Sequence, residues 1–153
     1  MKILMLHGVN FNMFGHRDPK VYGTVTLDQI NSAVDALATE LGVVVESFQS
    51  NHEGDVVDRI HKGYRDKADA VIINAGAWTH YSYAIRDALM ILEVPVVEFH
   101  MANIHARDEF RHHSCFVDCI AGQIAGFGLD SYLLALRAAV NLAKQNKNRE
   151  GKK

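Results

Sequence analysis

The stretch TLDQINSAVDALATELGVVVESF, Thr26 to Phe48, reads as a helix that runs straight into a strand. Leu27, Ile30, Val34, Leu37 and Leu41 recur at helical spacing, Thr26 stands at the N-cap position, and Gly42 stops the helix. Just beyond it, Val43–Phe48 is apolar and rich in β-branched residues, which predicts a strand. The rest of the chain repeats this unit. Ile3–Leu6, Ala70–Asn74 and Pro95–Phe99 predict three more strands and Phe116–Ala125 a weaker fifth, while Asp55–Tyr64, Ser82–Leu92 and Leu129–Lys144 predict further helices. Such alternation predicts an α/β protein: a flavodoxin-like, doubly wound sheet of five parallel strands with helices on both faces.

A chain of 153 residues fits one domain, expected over residues 1–143, followed by a basic tail over 144–153 expected to fray. With 48% hydrophobic and 22% charged residues the composition is that of a globular protein, and no apolar run is long enough to span a bilayer. Met1–Leu6 leads directly into His7, Gly8 and Asn10 without a secretory cleavage pattern, so a cytoplasmic protein with no membrane partner is expected. A formal net charge of −2 gives no basic surplus for nucleic acid. Cys115 and Cys119 form neither a disulfide framework nor a four-ligand zinc pattern, and both are expected to be buried thiols.

In doubly wound sheets ligands bind beyond the carboxyl ends of the strands, and three segments in that position are unusually polar. The first, His7–Tyr22, is long for an α/β connection and carries Asn10, Arg17 and Tyr22. A phenol acts as a base near neutral pH only beside a cation that favours the phenolate, and Arg17 is such a cation. Read alone, the loop also allows a packed Tyr22 and a solvated Arg17. The second segment, Asn74–Ser82, offers an amide, small residues for close backbone approach and the imidazole of His80; a plain helix cap is the alternative. Asp87, seven residues on, falls on the same predicted helix face as His80 and could equally be a surface charge. In the third, Glu98 and His100 point to one face of a strand, so the carboxylate can orient the imidazole as a general acid. The histidines from His100 to His113 invite a metal reading, but they follow no recognised ligand spacing and no metal is expected.

Taken in order, Gly-Val-Asn with Arg17-x-Pro-x-x-Tyr22-Gly, Gln49-Ser-Asn-His-Glu53-Gly, Asn74-Ala-Gly-Ala-x-Thr-His80, Arg86-Asp87-Ala and Glu98-x-His100-x-x-Asn-x-His105-Ala-Arg107, followed by Phe110-Arg111-His-His-Ser, resemble the type II 3-dehydroquinase pattern. The resemblance spans residue 3 to about residue 142. It implies anti elimination of water from 3-dehydroquinate through an enolate, with no cofactor or metal, in a homo-dodecamer built of trimers. It further implies Tyr22 as base with Arg17 favouring its phenolate, His100 as acid oriented by Glu98, and Asn10 holding a water at the enolate oxygen. Asn74, His80 and Arg111 would take substrate hydroxyls, the amides of Met101 and Ala102 the carboxylate, and Asp87 would reach in from a neighbouring subunit. This chain departs from the pattern at Val9 (usually proline), at Tyr81 and Tyr83 (usually smaller), and at Ala102 (typically serine). Two other readings compete: a lyase of the same fold acting on a related cyclic hydroxy-ketone acid, and a non-catalytic module binding phosphate or flavin. The second lacks a glycine-rich phosphate loop and leaves Arg17, Tyr22, Glu98 and His100 unexplained.

Overall fold

Alternating side chains on the strands sort into two cores, one on each face of a single sheet. Ile3, Met5, Ile72, Val97 and Phe99 join one core, while Leu4, Leu6, Val71, Ile73 and Val96 join the other. The computed structural model describes residues 1–151. Its strands are β1 (Lys2–His7), β2 (Val44–Gln49), β3 (Ala70–Asn74), β4 (Val96–His100) and β5 (Gly122–Ala125), all parallel, in the order β2-β1-β3-β4-β5. This is the flavodoxin-like order that the alternation predicts. The helices are α1 (Pro19–Tyr22), α2 (Leu27–Leu41), α3 (Glu53–Arg65), α4 (Tyr83–Leu89) and α5 (Asp130–Glu150). Ile30, Val34 and Leu37 of α2 and Tyr132, Leu136 and Val140 of α5 complete the first core; Val56 and Ile60 of α3 and Ile85 and Leu89 of α4 complete the second. No described helix is long and apolar enough to cross a membrane.

The helix α2 has the predicted bounds because both ends are chemically marked. Thr26 accepts from the Gln29 amide while the Gln29 side chain accepts from the Thr26 amide, and Gly42 takes a left-handed φ of 67°. Four other expectations change. The fifth strand is only Gly122–Ala125, because Phe116 and the residues after it form a turn that buries Phe116 in the second core. The helix predicted over Ser82–Leu92 is capped by the Ser82 hydroxyl and ends at Leu89. The last helix continues past Lys144 to Glu150, and Lys147 pairs with Asp69 at 2.6 Å, so the expected tail is largely helical; Lys152 and Lys153 lie outside the described residues. Cys115 is buried as expected, but Cys119 is only partly so.

The strand order reverses between β1 and β3, whose carboxyl ends therefore flank a crevice. Here the Gly8 amide donates to the Asn74 carbonyl at 2.8 Å. A Cβ on Gly8 would lie 2.1 Å from the Ala75 carbonyl oxygen, so only glycine lets these two loops approach so closely.

His7 ends β1 beneath this crevice, with its Nδ1 3.3 Å from the Tyr132 hydroxyl. Burial pushes its imidazole down to about pH 4, against a smaller opposite pull from Asn31. The folded protein therefore keeps His7 neutral where the unfolded chain, with its ordinary value of 6.5, takes up a proton. Stability contributed by His7 is present above about pH 6.5 and is lost as pH falls to about 4, a change of roughly 3 kcal/mol. Denaturant unfolding across this range is expected to show a shallower pH slope in His7→Gln than in wild type. Equal slopes would remove His7 from the acid response.

Candidate active site

The loop after β1 places Arg17 and Tyr22 five residues apart, with the short helix α1 between them. Asp18 caps that helix by accepting from the Lys20 amide, and Pro19 occupies its first turn. Arg17 Nη2 donates to the Tyr22 hydroxyl oxygen at 2.9 Å, and its guanidinium also lies 3.8 Å from the Tyr22 ring centre. A second guanidinium, present in the motif but without a role assigned there, converges on the same atom: Arg107 Nη1 donates to it at 3.0 Å. Two guanidinium donors thus converge on one phenolic oxygen. The signal for Arg107 was its place among the polar residues after β4, but its distance from Tyr22 along the chain hid the contact.

Glu98 and His100 lie on β4 as predicted, both buried, with His100 Nε2 donating to Glu98 Oε1 at 2.6 Å. Ser114 Oγ donates to the other carboxylate oxygen, also at 2.6 Å. Burial acts to raise the Glu98 carboxyl, but the bond and charge of His100, with the bonds from Ser114 and Gln123, outweigh it and hold Glu98 below the usual carboxylate range. Engaging Nε2 leaves Nδ1 of His100 for a ligand. His80 stacks against His100 with ring centres 6.4 Å apart. Burial lowers the His80 imidazole despite its bond to the His113 carbonyl, with His100 and Arg111 adding to the depression. Since Nδ1 of His80 donates to that carbonyl at 2.7 Å, the neutral ring presents Nε2 as an acceptor.

These groups face one cleft of about 150 Å³. Asn10, Arg17, Tyr22, Asn74 and His80 line it, as do His100, Met101, Ala102, Arg107 and Arg111, with Phe11, Phe14 and Ile104 as apolar wall. Asn10 has a left-handed φ of 69°, and its amide donates to Asn51 Oδ1 at 2.8 Å. Gln49 ties the same turn down by donating to the Gly8 carbonyl and to Asn51 Oδ1, both at 3.1 Å. Glu98 lies behind His100 rather than on the cleft wall. Asp87 is not brought in: its side chain is 74% exposed and pairs with Arg86. The expected shared helix face of His80 and Asp87 does not exist, because His80 ends a separate 3₁₀ turn, Gly76–His80, before α4 begins. Among the described residues no three His, Cys, Asp or Glu side chains converge as metal ligands.

Fold and cleft together define an α/β protein whose switch-point crevice is lined by a tyrosine held by two arginines and by a carboxylate-bound histidine. Residues 1–140 match the family described as dehydroquinase class II. The chain is 64% identical over 147 residues to the 3-dehydroquinate dehydratase of Leptothrix cholodnii, covering 96% of this chain and 99% of that one. It is 60% identical over 143 residues to the protein of the same name from Syntrophotalea carbinolica, covering 94% and 97%. The crystal structure of type II dehydroquinase from Butyrivibrio crossotus superposes with a TM-score of 0.89 at 39% identity, over 92% of this chain and 97% of that one. This chain belongs to the class II dehydroquinase family.

Proposed function

We propose that this protein is a 3-dehydroquinate dehydratase, a hydro-lyase that converts 3-dehydroquinate to 3-dehydroshikimate by anti elimination of water. One observation carries the reading: a tyrosine held by two guanidiniums and a histidine held by a buried carboxylate face the same small cleft. Tyr22, as phenolate, removes the proton on the carbon next to the ketone, and Arg17 and Arg107 stabilise the phenolate before that transfer. The C–H electron pair moves into the enolate, whose oxygen is met by a water held on Asn10. The enolate then expels the hydroxyl, which takes a proton from His100 while Glu98 holds the resulting imidazole in place. Asn74, His80 and Arg111 bind substrate hydroxyls, and the turn at Met101 and Ala102 binds the carboxylate. A volume of about 150 Å³ suits one small ring better than a flavin. The test is an ultraviolet assay for the conjugated enone product, run with a chelator and without added cofactor. Absence of product would sink the assignment.

Ala102 gives specific support to a second reading, a related cyclic hydroxy-ketone acid as substrate, because it lines the cleft without a side-chain hydroxyl. If dehydroquinate is the substrate, Ala102→Ser adds one hydrogen bond to a charged carboxylate, worth about 0.5–3 kcal/mol. It is expected to lower KM by between a few-fold and about a hundredfold, with kcat little changed because the contact is equal in ground and transition states. Wild type without dehydration, rescued only by the serine, would favour the second substrate.

Asp87 enters this reading through assembly. Being exposed and outside its own chain's cleft, it is assigned to a neighbour's cleft in a trimer-based dodecamer. Light scattering that finds a fully active monomer would overturn that assignment.

A further inference from the structure

The Glu98 carboxylate has one more donor than orienting His100 requires. Gln123 Nε2 donates to Oε1 at 2.6 Å, the same oxygen that accepts from His100. The parallel register places Gln123 directly beside Glu98 and Ala125 beside His100. Gln123 is itself an exposed residue on the edge strand β5, yet its amide turns inward to a carboxylate that is fully buried. We propose that Gln123 is a positioning residue which, by sharing Oε1 with His100, weakens the hold of Glu98 on the imidazole proton and so makes His100 the readier acid. The inference rests on the reading of His100 as the acid.

The dyad faces opposed demands. Glu98 must stay ionised to orient His100, yet a strongly basic carboxylate would stabilise the imidazolium and slow its proton donation. Each donor to a carboxylate stabilises the charge and reduces its basicity. A second donor on Oε1 acts on the very lone-pair region that His100 uses. The groups facing His100 are Glu98 and Gln123 from the sheet, Ser114 from the loop before β5, the stacked ring of His80, and Arg111, with Tyr22, Arg17 and Arg107 around the same cleft. Only Gln123 and Ser114 reach His100 through Glu98. Ser114 also accepts from the Phe116 amide at 3.1 Å, so its removal disturbs a turn. Gln123 is the cleaner probe.

The test uses Gln123→Met, close in shape but without a donor, in the full assembled protein. The pH dependence of deuterium exchange at the His100 ring carbon, followed by mass spectrometry without substrate, is expected to shift its midpoint up by about half a unit to one unit. In turnover, kcat is expected to fall several-fold at unchanged KM, and the alkaline limb of its pH profile to move up by the same amount. Gln123→Asn, whose amide is one methylene short of Glu98, is expected to act in the same direction. A merely structural glutamine would lower stability and leave the exchange midpoint in place, and an unmoved midpoint in both variants overturns the proposal whatever the rate does. A moved midpoint with an unmoved alkaline limb supports the effect of Gln123 on His100 and instead removes His100 from the role of acid.

Discussion

Tyr22→Phe is expected to lower turnover by about 10²–10⁴, the range for a lost general base, while KM changes only a few-fold. The variant keeps the aromatic ring, which packs 5.9 Å from Phe14 and carries the Arg17 guanidinium on its face, so the loop has little reason to rearrange. What disappears is the oxygen on which Arg17 and Arg107 converge. Without it no group between the two cations can take the proton, and their charge loses its acceptor. Steady-state kinetics on dehydroquinate decide the matter, and turnover near wild type would exclude Tyr22 from the chemistry.

Local signals in the sequence make most of this architecture readable. The capped helix α2 and the five parallel strands follow from hydrophobic period and from marked ends, and the period of two puts Glu98 and His100 on one face without tertiary information. The fifth strand is shorter than its apolar pattern implies, because Phe116 is as apolar as a strand residue but is buried from a turn. The short helix α1 has a start signal in Asp18-Pro19, but its single turn carries too little periodicity to be legible. The contacts of Arg107 and Gln123 are not legible in the sequence for a different reason. Arg107 is 85 residues from Tyr22 and Gln123 is 25 from Glu98, so each pairing exists only after the sheet order and register are known. The motif contains Tyr22 with Arg17 and His100 with Glu98, but the contacts of Arg107 and Gln123 with these pairs come from the topology.

His100→Ala is expected to depress turnover by a similar factor, about 10²–10⁴, for a chemically different reason. Glu98 keeps its bonds from Ser114 and Gln123, so the carboxylate stays partnered and the β4–β5 edge should remain folded. Tyr22 with its two arginines is untouched, and the first half of the elimination, proton removal to the enolate, should continue. The two variants therefore separate the two halves of the reaction. Substrate held with His100→Ala in deuterated water is expected to exchange the proton next to its ketone while forming almost no enone, because the enolate is made but, with no proton donor at its hydroxyl, the C–O bond holds and the enolate takes a deuteron back on carbon. Tyr22→Phe is expected to abolish exchange and elimination together. Proton NMR of the substrate, recorded beside the ultraviolet product assay, reads both rates in one experiment. If His100→Ala lost exchange as completely as elimination, His100 would be acting on the carbon proton rather than on the departing hydroxyl, and the assignment of base and acid would have to be redrawn around it.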